Sequence, residues 1–199
     1  MSTQKKFFAL RKAFQRKTGF TLVELLLSIA IFSVVVALVF STNRIAGVAT
    51  SVSSARLFLY SQARQALSSI SAELMLSNAF RIYIQAGGRD VRFSIPLVAA
   101  NGSLLTLPNG DILWGEGQIQ GDQIRYVLSG GNLVRQIFRG ANPVPGRDKT
   151  IAQHVQDFTV TANGPQYTIF IRLSVNDYEG VRFPQAVEYT LTTTVCPRN

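Results

Sequence analysis

The sequence contains few of the side chains that enzyme active sites most often use. Among its 199 residues there is one histidine, His154, and one cysteine, Cys196. One cysteine cannot form a disulfide within the chain, so the fold must be stabilised by its core alone. No serine–histidine–acid or cysteine–histidine arrangement can be argued from these residues. We therefore interpret His154 as a surface or turn histidine, and Cys196 as a small packing residue at the end of a strand, with an intermolecular disulfide as the alternative.

Metal and cofactor sites are also without support in the sequence. The acidic residues of the second half are scattered, and no run of them has the spacing of a calcium-binding loop. The glycines at Gly115-x-Gly117 and Gly130-Gly131 lack the strand-to-helix context of a phosphate-binding loop and are interpreted as turns. We expect no catalytic residue, no metal ion and no cofactor, so the chain is predicted not to be an enzyme.

Proline and glycine are scarce in the first part of the chain. All seven prolines occur at Pro96 or later, and only Gly19 and Gly47 precede Gly87. Because these helix breakers are missing, the chain is predicted to form one long helix over residues 20 to about 78. The remainder is rich in turn signals, which is typical of β structure.

Residues 41–78 form the amphipathic half of this predicted helix. Apolar side chains recur there at steps of three and four, which indicates a helix with one buried face. This stripe consists of Ile45, Val48, Val52, Ala55, Leu59, Ala63, Ala66, Ile70 and Leu74. Ser41-Thr42-Asn43 and Gly47 have low helix propensity, so we expect a bend or local loosening of the helix there.

An antiparallel β domain is predicted for residues 79–199. The expected strands are 80–85, 91–98, 104–107, 112–114, 123–128, 133–138, 155–161, 167–175 and 186–195, with an exposed loop at 140–149. Clean alternation of apolar and polar residues in the last two strands indicates a sheet with one buried face. Because the helix stripe and the sheet face can each cover the other, the fold class is α+β, a long N-terminal helix packed on an antiparallel sheet.

Residues 20–40 are apolar except for one ionisable side chain, Glu24. As a helix rising ~1.5 Å per residue they would extend about 31 Å, close to the ~30 Å hydrocarbon core of a bilayer. The 19 residues before them contain six basic and no acidic side chains, which predicts a cytoplasmic N-terminus and a chain that then crosses the membrane. A carboxylate inside such a segment is costly and therefore indicates a function.

The sequence Gly19-Phe20-Thr21-Leu22-Val23-Glu24 resembles the prepilin processing site of the type IV pilin and type II secretion pseudopilin superfamily. The resemblance implies that residues 1–19 are a leader, that a prepilin peptidase cleaves between Gly19 and Phe20, and that Phe20 is then N-methylated. Loss of the leader changes the formal charge from +9 to 9 − 6 = +3. We hypothesise that Glu24 assists assembly by pairing with the freed amine of Phe20 in a filament. A signal-anchor helix with a coincidental Glu24 is the alternative.

A narrower resemblance concerns minor subunits of the J type, or the related W type. It rests on the helix segment 54–78 and on the later residues Tyr126, Leu128, Leu133, Arg135 and Val155-x-x-Phe158. Unlike many major pilins, the chain has no proline in its spanning helix and no cysteine pair. The resemblance implies a minor pilin or pseudopilin, a structural subunit that primes or caps a type IV pilus or a type II secretion pseudopilus, and hence a role in protein transport or pilus assembly.

The resemblance also implies partners and a location. The expected partners are other pilins or pseudopilins in a hetero-oligomeric tip complex or filament, the prepilin peptidase and methyltransferase, an inner-membrane assembly platform, and membrane lipid. The chain would cross the inner (cytoplasmic) membrane once, with its C-terminal domain outside the cytoplasm, and then enter the pilus or pseudopilus. Whether the system serves secretion, motility or DNA uptake is left open.

The alternative function is a binding module displayed on a filament, either an adhesin or the DNA receptor of an uptake pilus. Arginines of the β domain could contribute to such binding. They are Arg81, Arg89, Arg92, Arg125, Arg135, Arg139 and Arg147. Because acidic residues lie among them and dilute their field, we interpret them as solvated strand faces and do not expect nucleic acid as a partner.

Overall fold

A computed structural model of the chain describes residues 20–116 and 119–198. The chain divides into two compact units, Met1–Gly47 and Val48–Asn199. The predicted leader lies outside the described residues. One α-helix, α1, extends from Leu22 to Leu76 and contributes residues to both units. The predicted limits of the helix are correct to within two residues, and the strands that follow confirm the α+β class.

In the first unit, α1 is helical at every residue after Thr21. Of the predicted bend or local loosening at residues 41–43 and Gly47, the loosening is therefore wrong, and the bend stays a prediction. The hydroxyls of Ser41 and Thr42 donate to the carbonyl oxygen of Leu38 at 2.9 and 2.8 Å. These bonds satisfy the side chains that would otherwise compete with the helix backbone for partners.

In the second unit, one face of α1 packs against the sheets. The predicted stripe is fully buried from Ala55 onward, at Ala55, Leu59, Ala63, Ala66, Ile70 and Leu74. Its first members differ, because Ile45 is 70 % exposed and Val48 is 38 % exposed. Val52 is partly buried against the core. The helical period of the stripe is thus confirmed, and burial begins about two turns later than predicted.

The β domain contains twelve strands in the described residues. They are β1 (Ile82–Gln85), β2 (Asp90–Phe93), β3 (Ile95–Pro96), β4 (Trp114–Glu116), β5 (Ile119–Gln120), β6 (Asp122–Ser129), β7 (Asn132–Arg139), β8 (Asn142–Pro143), β9 (Lys149–Ala152), β10 (Val155–Asn163), β11 (Gln166–Tyr178) and β12 (Val181–Val195). One sheet has the order β1-β2-β6-β7-β8, with β9 also paired to β7; a second has the order β10-β11-β12, and a small third sheet has the order β3-β4-β5. All of these strand pairs are antiparallel.

Several strand predictions need correction. Residues 104–107 and 112–114 were expected as strands, but only the single bridges Val98–Leu104 and Thr106–Ile112 and the later start of β4 are found there. Closely spaced turns, in which Gly102 N donates to Ala99 O and Gly110 N to Leu107 O, end each pairing after one or two residues. The predicted loop at 140–149 contains β8 and the first residue of β9.

The core lies between α1 and the two larger sheets. On β11 the predicted alternation is confirmed, because Ile169, Ile171 and Leu173 are fully buried. They belong to the same apolar cluster as the helix stripe and the fully buried aromatic side chains Phe93, Tyr126 and Phe158. Burial of each such side chain stabilises the fold by about 1.5–3 kcal/mol.

Gly88 closes the short turn between β1 and β2 against β10. A Cβ atom at Gly88 would lie 2.7 Å from Val160 O, and the backbone φ is +93°. We expect Gly88→Ala to lower the free energy of unfolding by about 2–3 kcal/mol, since it combines steric overlap with an unfavourable φ. Gly87→Ala is the matched control, because Gly87 has φ +65° and nothing within 4 Å of its added Cβ. Equal losses of stability in the two variants, measured by thermal unfolding, would contradict the close approach to β10.

Candidate functional site

A capping box begins α1 at the residues that the sequence singles out. Thr21 O accepts the first helical hydrogen bond, from Leu25 N at 3.1 Å. Thr21 Oγ1 accepts from Glu24 N at 3.2 Å, and Glu24 Oε2 accepts from Thr21 N at 3.1 Å and from Thr21 Oγ1 at 3.0 Å. These reciprocal bonds satisfy backbone donors that a helix start otherwise leaves unpaired. The carboxylate of Glu24 is therefore held at the first turn of the helix.

Two of the predicted processing and assembly residues, Phe20 and Glu24, fall at this helix start. Phe20 is 77 % exposed and Glu24 is also exposed, while Gly19 lies outside the described residues. The sequence reasoning did not assign a role to Thr21. The pattern Thr-x-x-Glu at 21–24 is the signature of a capping box, and it could have identified that role.

The surface of α1 that follows this start is apolar and uncovered. The helix contains a stretch of 18 residues apolar enough to cross a membrane, and none of that stretch is buried within the chain. The hydroxyl of Ser33 in this segment donates to Ile29 O at 2.8 Å, so its polar group is satisfied inside the helix. Such a segment suits membrane anchoring, since a helix satisfies its own backbone groups in lipid.

A network of charged side chains joins α1 to the β domain within the second unit. Arg135 on β7 donates through Nε to Glu73 Oε1 on α1 at 2.9 Å, and through Nη2 to Glu116 Oε1 on β4 at 2.9 Å. The hydroxyl of Tyr126 donates to Glu73 Oε2 at 2.8 Å and lies 3.3 Å from Ser69 Oγ. All three charged side chains are at most 22 % exposed. One guanidinium therefore forms ion pairs with two mostly buried carboxylates.

Burial changes the pKa values of two side chains in this network. It raises the pKa of Glu73 above its usual value, although the neighbouring charge of Arg135 and the hydrogen bond from Tyr126 act in the opposite direction. Burial and the nearby Glu73 carboxylate likewise raise the pKa of Tyr126. The hydrogen bonds and the charge of Arg135 thus only partly offset the cost of burying Glu73.

Most arginines that could have formed a basic binding surface are paired with carboxylates. Five of the seven form ion pairs, namely Arg89 with Asp157, Arg92 and Arg125 with Asp90, Arg135 with Glu73 and Glu116, and Arg139 with Asp122. Although partial burial raises the pKa of Asp90, hydrogen bonds from Arg125 and Arg92 and their charges lower it overall. Arg81 stacks over the ring of Trp114 at 4.9 Å. Much of the positive charge of this domain is therefore neutralised locally.

The remaining candidate side chains lie apart. His154 is exposed between β9 and β10, where its φ is +59°, and its ring meets Phe58 edge-on at 6.1 Å between centroids. Cys196 follows β12 and is exposed, so its interpretation as a packing residue is wrong. Among the described residues, no group of three or more His, Cys, Asp or Glu side chains could hold a metal ion.

Comparison with known proteins identifies one similarity. Residues 14–40 match the family described as the prokaryotic N-terminal methylation motif. This range contains the Gly19–Phe20 junction, the capping box and the apolar start of α1. No curated protein and no solved structure matches the chain.

Proposed function

We propose that this chain, which carries the N-terminal methylation motif of the type IV pilin and pseudopilin family, is a minor structural subunit that joins a filament and primes or caps it. In this proposal a prepilin peptidase removes residues 1–19, the amine of Phe20 is methylated, and the apolar half of α1 first anchors the subunit in the inner membrane. The observation that carries the proposal is an apolar, uncovered helix that starts with a capping box directly after the Gly19–Phe20 junction.

The assembly step follows from the position of Glu24. Cleavage after Gly19 would create a positively charged amine at Phe20, four residues before this carboxylate. In a bundle of apolar helices, an unmatched charge costs several kcal/mol, whereas a charge paired with its opposite is tolerated. Pairing of Glu24 with the amine of its own or a neighbouring subunit would therefore favour one axial offset between helices. The apolar segments then exchange lipid contacts for contacts with one another.

Two features support a minor rather than a major subunit. The apolar half of α1 contains no proline, and the chain has a single, exposed cysteine instead of a pair. We place the binding-module function second, because five of the seven arginines that it would use are already engaged by carboxylates.

The proposal predicts the covalent form of the protein in cells. We expect the intact mass and N-terminal sequence of the cellular protein to correspond to a chain that begins at Phe20 and carries one added methyl group. Deletion of the prepilin peptidase should restore the full mass with residues 1–19 present. A protein that keeps its leader, or that begins at any other residue in peptidase-positive cells, would contradict the proposal.

A further inference from the structure

The longest strand of the β domain has one edge without a partner. β12 is the outer strand of the sheet β10-β11-β12, and no other described residue pairs with its free side. Ser174 N on β11 donates to His154 O on the β10 side at 2.9 Å. Since backbone groups alternate in direction along a strand, Leu173 and Val175 face β12, where they oppose Tyr189 and Val187. The alternate residues of β12, which are Glu188, Thr190, Thr192 and Thr194, therefore direct their backbone N–H and C=O groups outward.

This edge lacks the features that normally prevent strand pairing. From Tyr189 to Val195 there is no charged residue, no proline and no glycine, and the residues are mainly threonine, leucine, valine and tyrosine, which favour strands. Proteins usually protect exposed edges with lysine, proline, bulges or short strands. The irregular register and Pro184 of β12 lie nearer its N-terminal end, before the regular stretch from Val187. The free edge at 189–195 is thus long, regular and unprotected.

A groove runs beside the same edge, between β12 and α1. It has a volume of about 370 Å³, and its lining includes Arg64, Leu67 and Ser68 of α1 and Leu191, Thr192 and Thr193 of β12. The side chains of Leu191 and Tyr189 are only partly buried, so α1 does not fully cover this margin of the sheet. Tyr60 of α1 meets Tyr189 edge-on, with 5.5 Å between ring centroids. Side chains of an added strand would therefore find apolar contacts next to the hydrogen-bonding edge.

The helix side of this groove carries positive charge that is not used in an ion pair within the described residues. Arg64 Nη1 donates to the hydroxyl of Tyr60 at 3.4 Å, and neither Arg56 nor Arg64 forms an ion pair with any described carboxylate. Arg56 lines a second groove between α1 and β12, toward the N-terminal end of the strand, where Glu188 of β12 is also part of the lining. An occupant with acidic side chains beside Leu191 would be complementary to Arg64.

We infer that the free edge of β12 is a docking site for an extended, acidic strand of another filament subunit, which adds to the sheet beside Thr190, Thr192 and Thr194. Backbone hydrogen bonds supply affinity in this mode of recognition, and the groove beside Leu191 supplies specificity through alternate side chains. The inference deepens the proposed function and rests on it, because the partner is a subunit of the same filament.

The test removes one outward backbone N–H from β12 and compares the result with a control variant that keeps this N–H and the shape of the side chain. A photo-reactive amino acid is placed at Thr190 of the full-length chain, in cells that assemble the filament, and the cross-linked partner is identified by mass spectrometry. We expect Thr192→Pro to lower the yield of a cross-link to another subunit by about tenfold or more, because proline removes one edge N–H and obstructs its neighbours. Thr192→Val keeps the N–H and should cross-link as the unchanged chain does.

Further variants test the charge and guard against misfolding. Arg64→Glu should reduce the same cross-link, whereas Arg64→Lys should retain most of it. Proline is tolerated where an edge N–H faces solvent, so Thr192→Pro should unfold at nearly the same temperature as the parent chain. If the unfolding temperature of Thr192→Pro falls, Thr194→Pro is used instead, because the N–H of Thr194 also faces outward.

The outcomes separate this inference from the proposed function. If the chain begins at Phe20 and enters the filament, but both proline variants cross-link like the parent chain, strand addition is wrong and the subunit function stands. A cross-link to a protein without the methylation motif would overturn the partner that we propose. A chain that keeps its leader and never enters a filament would overturn both.

Discussion

Glu24→Ala is expected to be cleaved normally and to enter the filament at least about tenfold less than the unchanged chain. The reason is the amine that cleavage would create at Phe20. Without Glu24 this charge would be buried among apolar helices with no counter-charge, which costs several kcal/mol, and each 1.4 kcal/mol changes an equilibrium tenfold. The measurement compares the amount of subunit in sheared filaments with the amount in the membrane, and N-terminal sequencing verifies cleavage.

The capping box offers a competing explanation for the same loss. Glu24 also accepts hydrogen bonds from Thr21 N and Oγ1, so its removal takes away one half of the capping box that begins the helix. Glu24→Gln separates the two effects, because glutamine also serves in a capping box and carries no charge. If charge pairing governs assembly, the glutamine variant enters the filament as poorly as the alanine variant. Normal assembly of Glu24→Gln together with failure of Glu24→Ala would instead assign the effect to the helix start.

Local patterns in the sequence predicted the helix and the strands better than they predicted which strands and side chains pair with one another. The three-to-four spacing of Leu59, Ala63 and Ile70 identified the buried helix face, because this signal depends only on neighbouring residues. The alternation of Ile169 and Ile171 likewise identified the core face of β11. The motif at 19–24 is also local, and it lies within the residues that match the N-terminal methylation family.

Long-range pairings could not be read from the chain in the same way. Arg135 lies 62 positions after Glu73 and 19 after Glu116, and its role depends on which strands are neighbours. The spacing of charges along the chain therefore does not indicate the ion pair between Glu116 and Arg135. The free edge of β12 was unpredicted for the same reason, since only the strand order shows which strand lies outermost. β9 was missed because its four residues are too few to show a period.

Arg135→Met is expected to destabilise the second unit by about 3 kcal/mol near neutral pH, a fall in unfolding temperature of roughly 6–12 °C. Removal of one partner from a mostly buried ion pair leaves the carboxylates of Glu73 and Glu116 without their guanidinium. Fluorescence of Trp114, the single tryptophan, can report the unfolding of the full-length chain in detergent, because it lies on β4 two residues before Glu116. Arg89→Met is the matched control, since Arg89 is 59 % exposed and its surface pair contributes at most about 1 kcal/mol.

The pH dependence of the stability of Arg135→Met tests whether Arg135 compensates the charge of Glu73. The pKa of Glu73 is raised in the folded chain. The protonated form of Glu73 therefore favours the folded chain relative to the ionised form. This contribution to stability is fully present below the pKa of Glu73 in the unfolded chain and is lost as the pH rises through its pKa in the folded chain. Arg135→Met removes a charge that lowers this pKa, so its destabilising effect should be small near pH 4 and should grow towards pH 7. Glu73→Gln cannot ionise, and it should partly rescue Arg135→Met at pH 7 while having little effect at pH 4. A loss in Arg135→Met that is equal at both pH values would show that the guanidinium acts by packing its side chain and not by compensating Glu73.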